Sequence, residues 1–226
     1  MRWMIGFMAA MCISYPAQAL ELGEISDQEA TGGLKAALIQ SAGAAVGKLG
    51  VADGFFKNPK VKIPLPDSLK KAEKAMRMFG MGKQADELVL SMNRAAEAAV
   101  PEAKVLLVDA VKKMSVEDVK NVLTGGDDAA TRYFKKTTAG PLAEKFLPTV
   151  KKATEKVQLA QQYNAYAGTA LKYGLVKKEQ ANIEQYVTQK TLDGLYLMMA
   201  EEERAIRKNP VGQASSLVRK VFGALQ

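Results

Sequence analysis

Apolar residues recur at helical spacing along nearly the whole chain. Ser26 to Glu29 has the spacing of a capping box, and Leu34, Leu38 and Ala42 follow at helical steps. Gly43, Gly47 and Gly50 weaken the end of that helix. Asp67 or Ser68 then caps a helix to about Phe79, which Gly80 and Gly82 break. Leu88, Met92, Ala95, Ala96 and Ala99 form one stripe of the next helix, and their small size permits close packing. Pro101 suits a first helical turn. From there Val105, Leu106, Leu107, Val108 and Val111 predict a helix apolar on nearly all sides and deeply buried. Ser115 starts a short helix that Gly125 and Gly126 end, and Asp127 or Asp128 caps the one after it. Pro141 and Pro148 punctuate the region up to a helix over about 150–172, which Gly174 closes. The last long helix spans 182–208 and stops at Pro210. Leu192, Leu195, Tyr196, Leu197, Met198 and Met199 make its middle apolar on several faces, as expected of the central helix. An amphipathic helix over 213–226 ends the chain, with Leu217, Val218, Val221, Phe222 and Leu225 on one side.

One segment breaks the helical rhythm. Residues 58–66 read NPKVKIPLP, and three prolines exclude both a helix and a central strand. Val61 and Ile63 alternate with Lys60 and Lys62, which predicts an extended strap lying across the helices. No Gly- or Pro-rich linker divides the rest. The fold class expected is therefore all-α: a single multi-helix bundle with one proline-rich strap at 58–66.

Composition narrows the chemistry. The 226 residues include no histidine and one cysteine, Cys12. Histidine general acid/base catalysis, histidine metal ligation and intramolecular disulfides are therefore absent. The first residues have the order of a secretory signal peptide: Arg2, an apolar run over 5–15, then Pro16-Ala17-Gln18-Ala19. Cleavage is expected after Ala19. The division expected is a signal peptide at 1–19 and one helical domain at 20–226, located in the periplasm. The apolar run is too short to span a bilayer. Met11 stands where a lipoprotein signal usually carries a small residue before the lipidated cysteine. Loss of residues 1–19 lowers the net charge from +8 to +7 and removes Cys12 and Trp3, the only tryptophan.

Several constellations invite a chemical reading. Gly43 to Lys48 is one residue short of a phosphate-binding loop and lacks the Ser/Thr after the lysine. Gly125-Gly126-Asp127-Asp128 glances at a calcium turn, but a helix C-cap followed by an N-cap explains all four residues. Glu201, Glu202 and Glu203 point about 100° apart around a helix, so they do not converge; a solvated, salt-bridged surface with Glu203 paired to Arg207 is expected. Tyr163, Tyr166 and Tyr173 fit a packed stripe with hydroxyls at its rim. Asn93, Arg94 and Glu97 lie within one turn at the edge of the alanine-rich face. They are the candidate ligand-binding cluster, with helix-end satisfaction inside the bundle as the alternative. No catalytic residue, metal site or cofactor is expected.

The basic charge is uneven. Residues 204–226 carry Arg204, Arg207, Lys208, Arg219 and Lys220 and no acid. A basic segment with an apolar face suits an anionic membrane surface or an acidic groove on an envelope protein. Arg219, Lys220 and Phe222 are the candidate contact residues, against the alternative that this helix docks on the bundle. Nucleic acid is not expected as a partner of an exported protein.

The strap NPKVKIPLP, the run MNRAAEAAVPEAK (92–104), LTGGDDAATRYF (123–134), YVTQKTLDGLYLMMAEEERAIRKNP (186–210) and the terminal VFGAL together resemble one group of exported bacterial proteins, domain-of-unknown-function family 4197 (DUF4197). The resemblance covers essentially the whole chain after residue 19. It implies a helical envelope protein of Gram-negative-type bacteria and carries no catalytic or binding residues with it. The leading functional expectation is a non-enzymatic periplasmic helical protein that binds a partner or an apolar ligand. The alternatives are a carboxylate-dependent, glycan-cleaving envelope enzyme and a peripheral membrane protein using the basic C-terminal helix.

Overall fold

The computed structural model describes residues 26–80, 82–172, 182–210 and 216–223. Its elements are α1 (Asp27–Leu49), α2 (Asp67–Met78), α3 (Gly82–Ala99), a 3-10 turn (Val100–Glu102), α4 (Ala103–Lys112), α5 (Val116–Leu123), α6 (Ala129–Thr154), α7 (Gln158–Lys172), α8 (Ile183–Lys208) and α9 (Ser216–Gly223). Among the described residues there is no strand, and the fold is an all-α bundle. The expected signal peptide at 1–19 lies outside the described residues.

Local sequence starts several of these helices as predicted. The Ser26 hydroxyl accepts from the Glu29 N–H while the Glu29 carboxylate accepts from the Ser26 N–H. Ser115 and Asp118 make the same reciprocal pair at α5, and Asn182 caps α8 through the Gln185 N–H. Pro101 occupies the start of the 3-10 turn, where its missing N–H costs nothing.

α8 lies at the centre, packed against α1, α3, α6 and α7. Leu195 is fully buried, and Leu192, Tyr196, Met198 and Met199 are nearly so. Leu197 points outward and stays 39% exposed. The predicted stripe on α3 (Leu88, Met92, Ala95, Ala96, Ala99) is buried throughout. Its alanines let α3 pack closely between α6 and α8. The strap alternates as expected: Val61, Ile63 and Leu65 face inward, while Lys62 and Pro64 face solvent. Ahead of it, Phe55 is fully buried opposite Gly194 of α8. A Cβ at Gly194 would stand 2.8 Å from the Phe55 ring, so the glycine forms the notch that receives it.

Two expectations are corrected. α4 is not buried on all sides: Leu107 and Val111 face the core, but Val105 is 68% exposed. The helix packs on α1 and α6 through one side only, with Ala103, Leu107, Ala110 and Val111, which leaves its far face in water. Next, Pro141 and Pro148 do not punctuate the chain; α6 runs straight through both. Each proline removes an N–H and crowds the carbonyl four residues back, at roughly 3 kcal/mol in a helix interior. Every fourth residue from 134 to 154 is buried (Phe134, Thr138, Leu142, Phe146, Val150, Thr154), and that stripe offsets the cost while both prolines sit on the solvent side. The break comes later, at a turn over 155–157 that separates α6 from α7. The C-terminal helix is seen over Ser216–Gly223, and the remaining residues of the expected 213–226 lie outside the described residues.

Replacing Leu195 with Asp buries an unpaired carboxylate among α6, α1 and α3. We expect loss of a cooperative thermal transition by circular dichroism, since the cost of several kcal/mol matches total domain stability. A second expectation concerns alkaline pH. Burial, with smaller contributions from Asp67 and Tyr163, pushes the Tyr186 phenol up to about 12 from its ordinary 10.0. The folded protein keeps the proton where the unfolded chain has lost it, so this stability is intact below pH 10 and is lost as pH rises toward 12. Melting temperature should fall over that window, and Tyr186→Phe should flatten the decline.

Candidate functional site

Asn93, Arg94 and Glu97 sit on the face of α3 that meets the strap, and the structure brings all three together there. The Asn93 side-chain carbonyl accepts the Ile63 N–H at 2.9 Å, and its amide donates to the Ile63 carbonyl at 2.9 Å. The same amide also donates to the Val89 carbonyl at 2.7 Å. One residue of α3 thereby supplies the strap with the donor–acceptor pair that a neighbouring strand would provide. Four residues on, Glu97 is 5% exposed, and its Oε1 accepts the Phe55 and Phe56 N–H groups, each at 3.0 Å.

The second Glu97 oxygen accepts from Arg94 at 2.6 Å, and Arg94 donates its other Nη to Asp53 at 2.6 Å. Lys57 closes the chain of charges on Asp53 at 2.7 Å. Hydrogen bonds from Lys57 first and Arg94 second hold the Asp53 carboxyl below its ordinary range, and Glu97 and then Asp53 raise Arg94 above its own. Asp53 has φ +69°, in the left-handed region where Asp is among the tolerated residues. Gly54 follows it because a Cβ there would stand 2.5 Å from the Leu49 carbonyl oxygen. Lys62 and Arg94 both stand over the Phe56 ring, at 4.5 and 5.7 Å from its centre. The cluster is an internal fastener, with its polar atoms already engaged by the segment it holds.

Glu203 corrects the sequence reading directly. It is not on a solvated surface; it is 5% exposed, and it caps α6 from α8. Its Oε1 accepts the Ala130 N–H and its Oε2 the Thr131 N–H and hydroxyl, all at 2.9 Å. Arg207 does pair with it, at 3.0 Å, and also donates to the Val122 carbonyl at the end of α5. Asp128 stands at the N-cap position of α6 but makes no capping bond; its carboxylate turns to Arg132. Glu203 does the capping because the buried N–H groups point at α8, not at water. Gly125 completes the turn, since a Cβ there would meet the Ala129 Cβ at 2.6 Å. Glu201 and Glu202 behave as expected, in surface pairs with Lys60 and Lys48. Among the described residues no three acidic or thiol side chains gather where a metal ion would sit.

The C-terminal candidates divide. Val221 is 2% exposed with α9 packed on α1, and Lys220 pairs with Glu29 at 2.8 Å. That hydrogen bond, followed by those from Ser26, lowers the Glu29 carboxyl. Arg219 is exposed, and the Phe222 side chain lies outside the described set, as do the Tyr166 side chain and Tyr173. Tyr163 is buried in α7, as a packed stripe requires.

The surface holds features that sequence reasoning passed over. A cleft of about 430 Å³ lies between α4, α5 and α6, with Leu106, Tyr133 and Pro141 along it and Lys113 and Lys136 at its edges. The Tyr133 hydroxyl donates to the Ala110 carbonyl and closes one wall. A second cleft, about 340 Å³, runs beside the strap between Phe56, Pro64, Lys70 and Val89. At the apex of the α2–α3 hairpin, Met78 is 78% exposed and Phe79 is 82% exposed. The signal in the sequence is RMFGMG (77–82), three large apolar residues around glycines that also break the helix.

A family model described as "Protein of unknown function (DUF4197)" matches residues 24–223. The chain belongs to that family. No curated protein and no solved structure matches it.

The fastener and the cap each give a measurable expectation. Glu203→Ala leaves three buried donors and Arg207 without their acceptor. It should lower unfolding free energy by about 3 kcal/mol or more, given 1–3 kcal/mol for each unsatisfied buried group. Asp128→Ala should change it by less than about 0.5 kcal/mol, as for an exposed pair. Asn93→Ala should raise amide hydrogen exchange at Ile63 selectively, before the helices exchange.

Proposed function

We propose that this member of the DUF4197 family is a non-enzymatic protein of the bacterial envelope that acts by binding, through its outer surface. One observation carries the reading. Among the described residues, the buried side chains of the candidate cluster and of the acidic run are already committed: Asn93 to the strap, both oxygens of Glu97 to Phe55, Phe56 and Arg94, and both oxygens of Glu203 to α6 and Arg207. A general acid or base must keep a proton-transfer position open toward substrate. Where α1, α6 and α8 meet, the space between Leu34, Leu38, Ala130 and Ile206 is about 10 Å³, the room of one water. An enclosed site for a small apolar molecule needs some hundreds of Å³.

The envelope location rests on the N-terminal order of Arg2, an apolar run and Ala17-Gln18-Ala19. No described helix is long and apolar enough to cross a membrane. An apolar ligand held inside the bundle, the other half of the leading expectation, finds less support than a surface contact.

Cell fractionation with N-terminal sequencing tests the location. We expect release by osmotic shock and a first residue at Leu20; recovery of lipid-modified Cys12 from membranes would contradict it. Incubation with purified cell-wall sacculi tests the absence of turnover. We expect no soluble glycan fragments, and their enzyme-dependent release would replace binding by catalysis.

A further inference from the structure

The apex of the α2–α3 hairpin is built in a way that folding does not explain. Gly80 has φ +78°, which reverses the chain between the two helices, and the residues just before it are the two most exposed large apolar side chains described. Met78 and Phe79 make no use of the core, although α3 and the strap lie on the same side of the bundle. α2 packs chiefly on α3, so the hairpin end projects with little behind it.

The charges around the apex point the same way. Between residues 74 and 85 the sequence holds Lys74, Arg77 and Lys83 and no acid. Arg77 spans Glu73 and Asp86, at 2.8 and 2.6 Å, and keeps both acids one turn back from the tip. Lys83 is exposed in the first turn of α3, which carries no acidic residue. A cation there opposes the helix dipole, so it does not serve the helix. Two apolar side chains on a convex tip fall far short of the roughly 800 Å² per partner that a stable protein interface requires. Interfacial insertion into lipid needs depth rather than area, with cations at the level of the phosphates.

We propose that the α2–α3 apex docks this protein on an anionic lipid bilayer, with Met78 and Phe79 entering the headgroup–acyl boundary and Lys83 facing lipid phosphate. The inference rests on the surface-binding reading and names its partner. It also moves the membrane contact away from the basic C-terminal helix, whose Val221 and Lys220 are engaged with α1.

The test is co-sedimentation of the purified protein with vesicles of phosphatidylglycerol and phosphatidylethanolamine, against vesicles of phosphatidylcholine. Binding to the anionic vesicles alone is expected, weakening with salt. The double substitution Met78→Ser and Phe79→Ser should reduce that binding about tenfold or more and leave melting temperature unchanged, because both side chains are already in water. Lys83→Glu should reduce it as well, while Arg219→Glu should leave it within about twofold. Because removal of residues 1–19 takes away Trp3, Phe79→Trp gives a single indole whose emission should shift to the blue on anionic vesicles. Absence of binding at low salt, indifference to the double substitution, or loss with Arg219→Glu overturns the proposal. So does a dimer that the double substitution dissociates, which would make the apex a contact between copies. None of these touches the surface-binding reading, which falls on glycan release from sacculi.

Discussion

An extended segment buried in an all-helical core creates a demand for hydrogen bonds that helices cannot meet with their backbones. Every helical N–H and C=O in the middle of α3 or α8 is already used within its own helix. The strap and the turn that leads into it bring the peptide groups of Phe55, Phe56 and Ile63 into that environment, where an unpaired group costs about 1–3 kcal/mol. Asn93 and Glu97 meet the demand from one face of α3. The Tyr186 hydroxyl adds a third point, donating to the Pro64 carbonyl from α8. The apolar side chains Phe55, Val61, Ile63 and Leu65 then have a fixed register against the notch at Gly194. Remove the side-chain acceptors and the strap can keep its apolar contacts only by burying bare peptide.

The same device recurs at the helix ends. Glu203 caps α6 from α8, Arg207 takes the Val122 carbonyl near the end of α5, and Lys35 of α1 takes the carbonyls of Lys112, the last residue of α4, and of Met114. Asn164 of α7 receives the Ile183 N–H at the start of α8. Helix termini leave four unsatisfied groups at each end, and these ends lie against neighbouring helices. Side chains from across the bundle therefore do work that local caps do elsewhere. This accounts for a chain rich in charge whose most buried charges, Glu97 and Glu203, serve architecture.

What the sequence revealed follows the range of the interactions involved. Capping boxes at Ser26 and Ser115, the stripe on α3 and the alternation of the strap depend on residues a few positions apart, and they were legible. The proline-bearing α6 was not, because its stability comes from burial of Phe134, Leu142, Phe146 and Val150 against α3 and α8, which outweighs the local penalty at Pro141 and Pro148. Glu203 was misread for the same reason. Three consecutive glutamates look alike in sequence, and only the approach of α6, 72 residues away at Thr131, distinguishes the third. The cluster on α3 was found as a cluster, but its partner, the strap backbone, carries no side-chain signature. The family match agrees with the resemblance read from the motifs.

The notch at Gly194 and the hydroxyl of Tyr186 belong to α8, while the residues they receive lie near the start of the chain; the Tyr186–Pro64 bond joins positions 122 apart. During synthesis the first half of the protein emerges with Phe55, Val61 and Ile63 facing a wall that has not yet been made. The strap can rest against α3, yet the lid over it arrives only with the last third of the chain. A helical fold usually forms from local contacts and quickly; here closure waits on a long-range one, with the loop-closure entropy and the slower assembly that such ordering brings. The interval before α8 arrives is when this protein is most open to proteolysis and to association with its own copies.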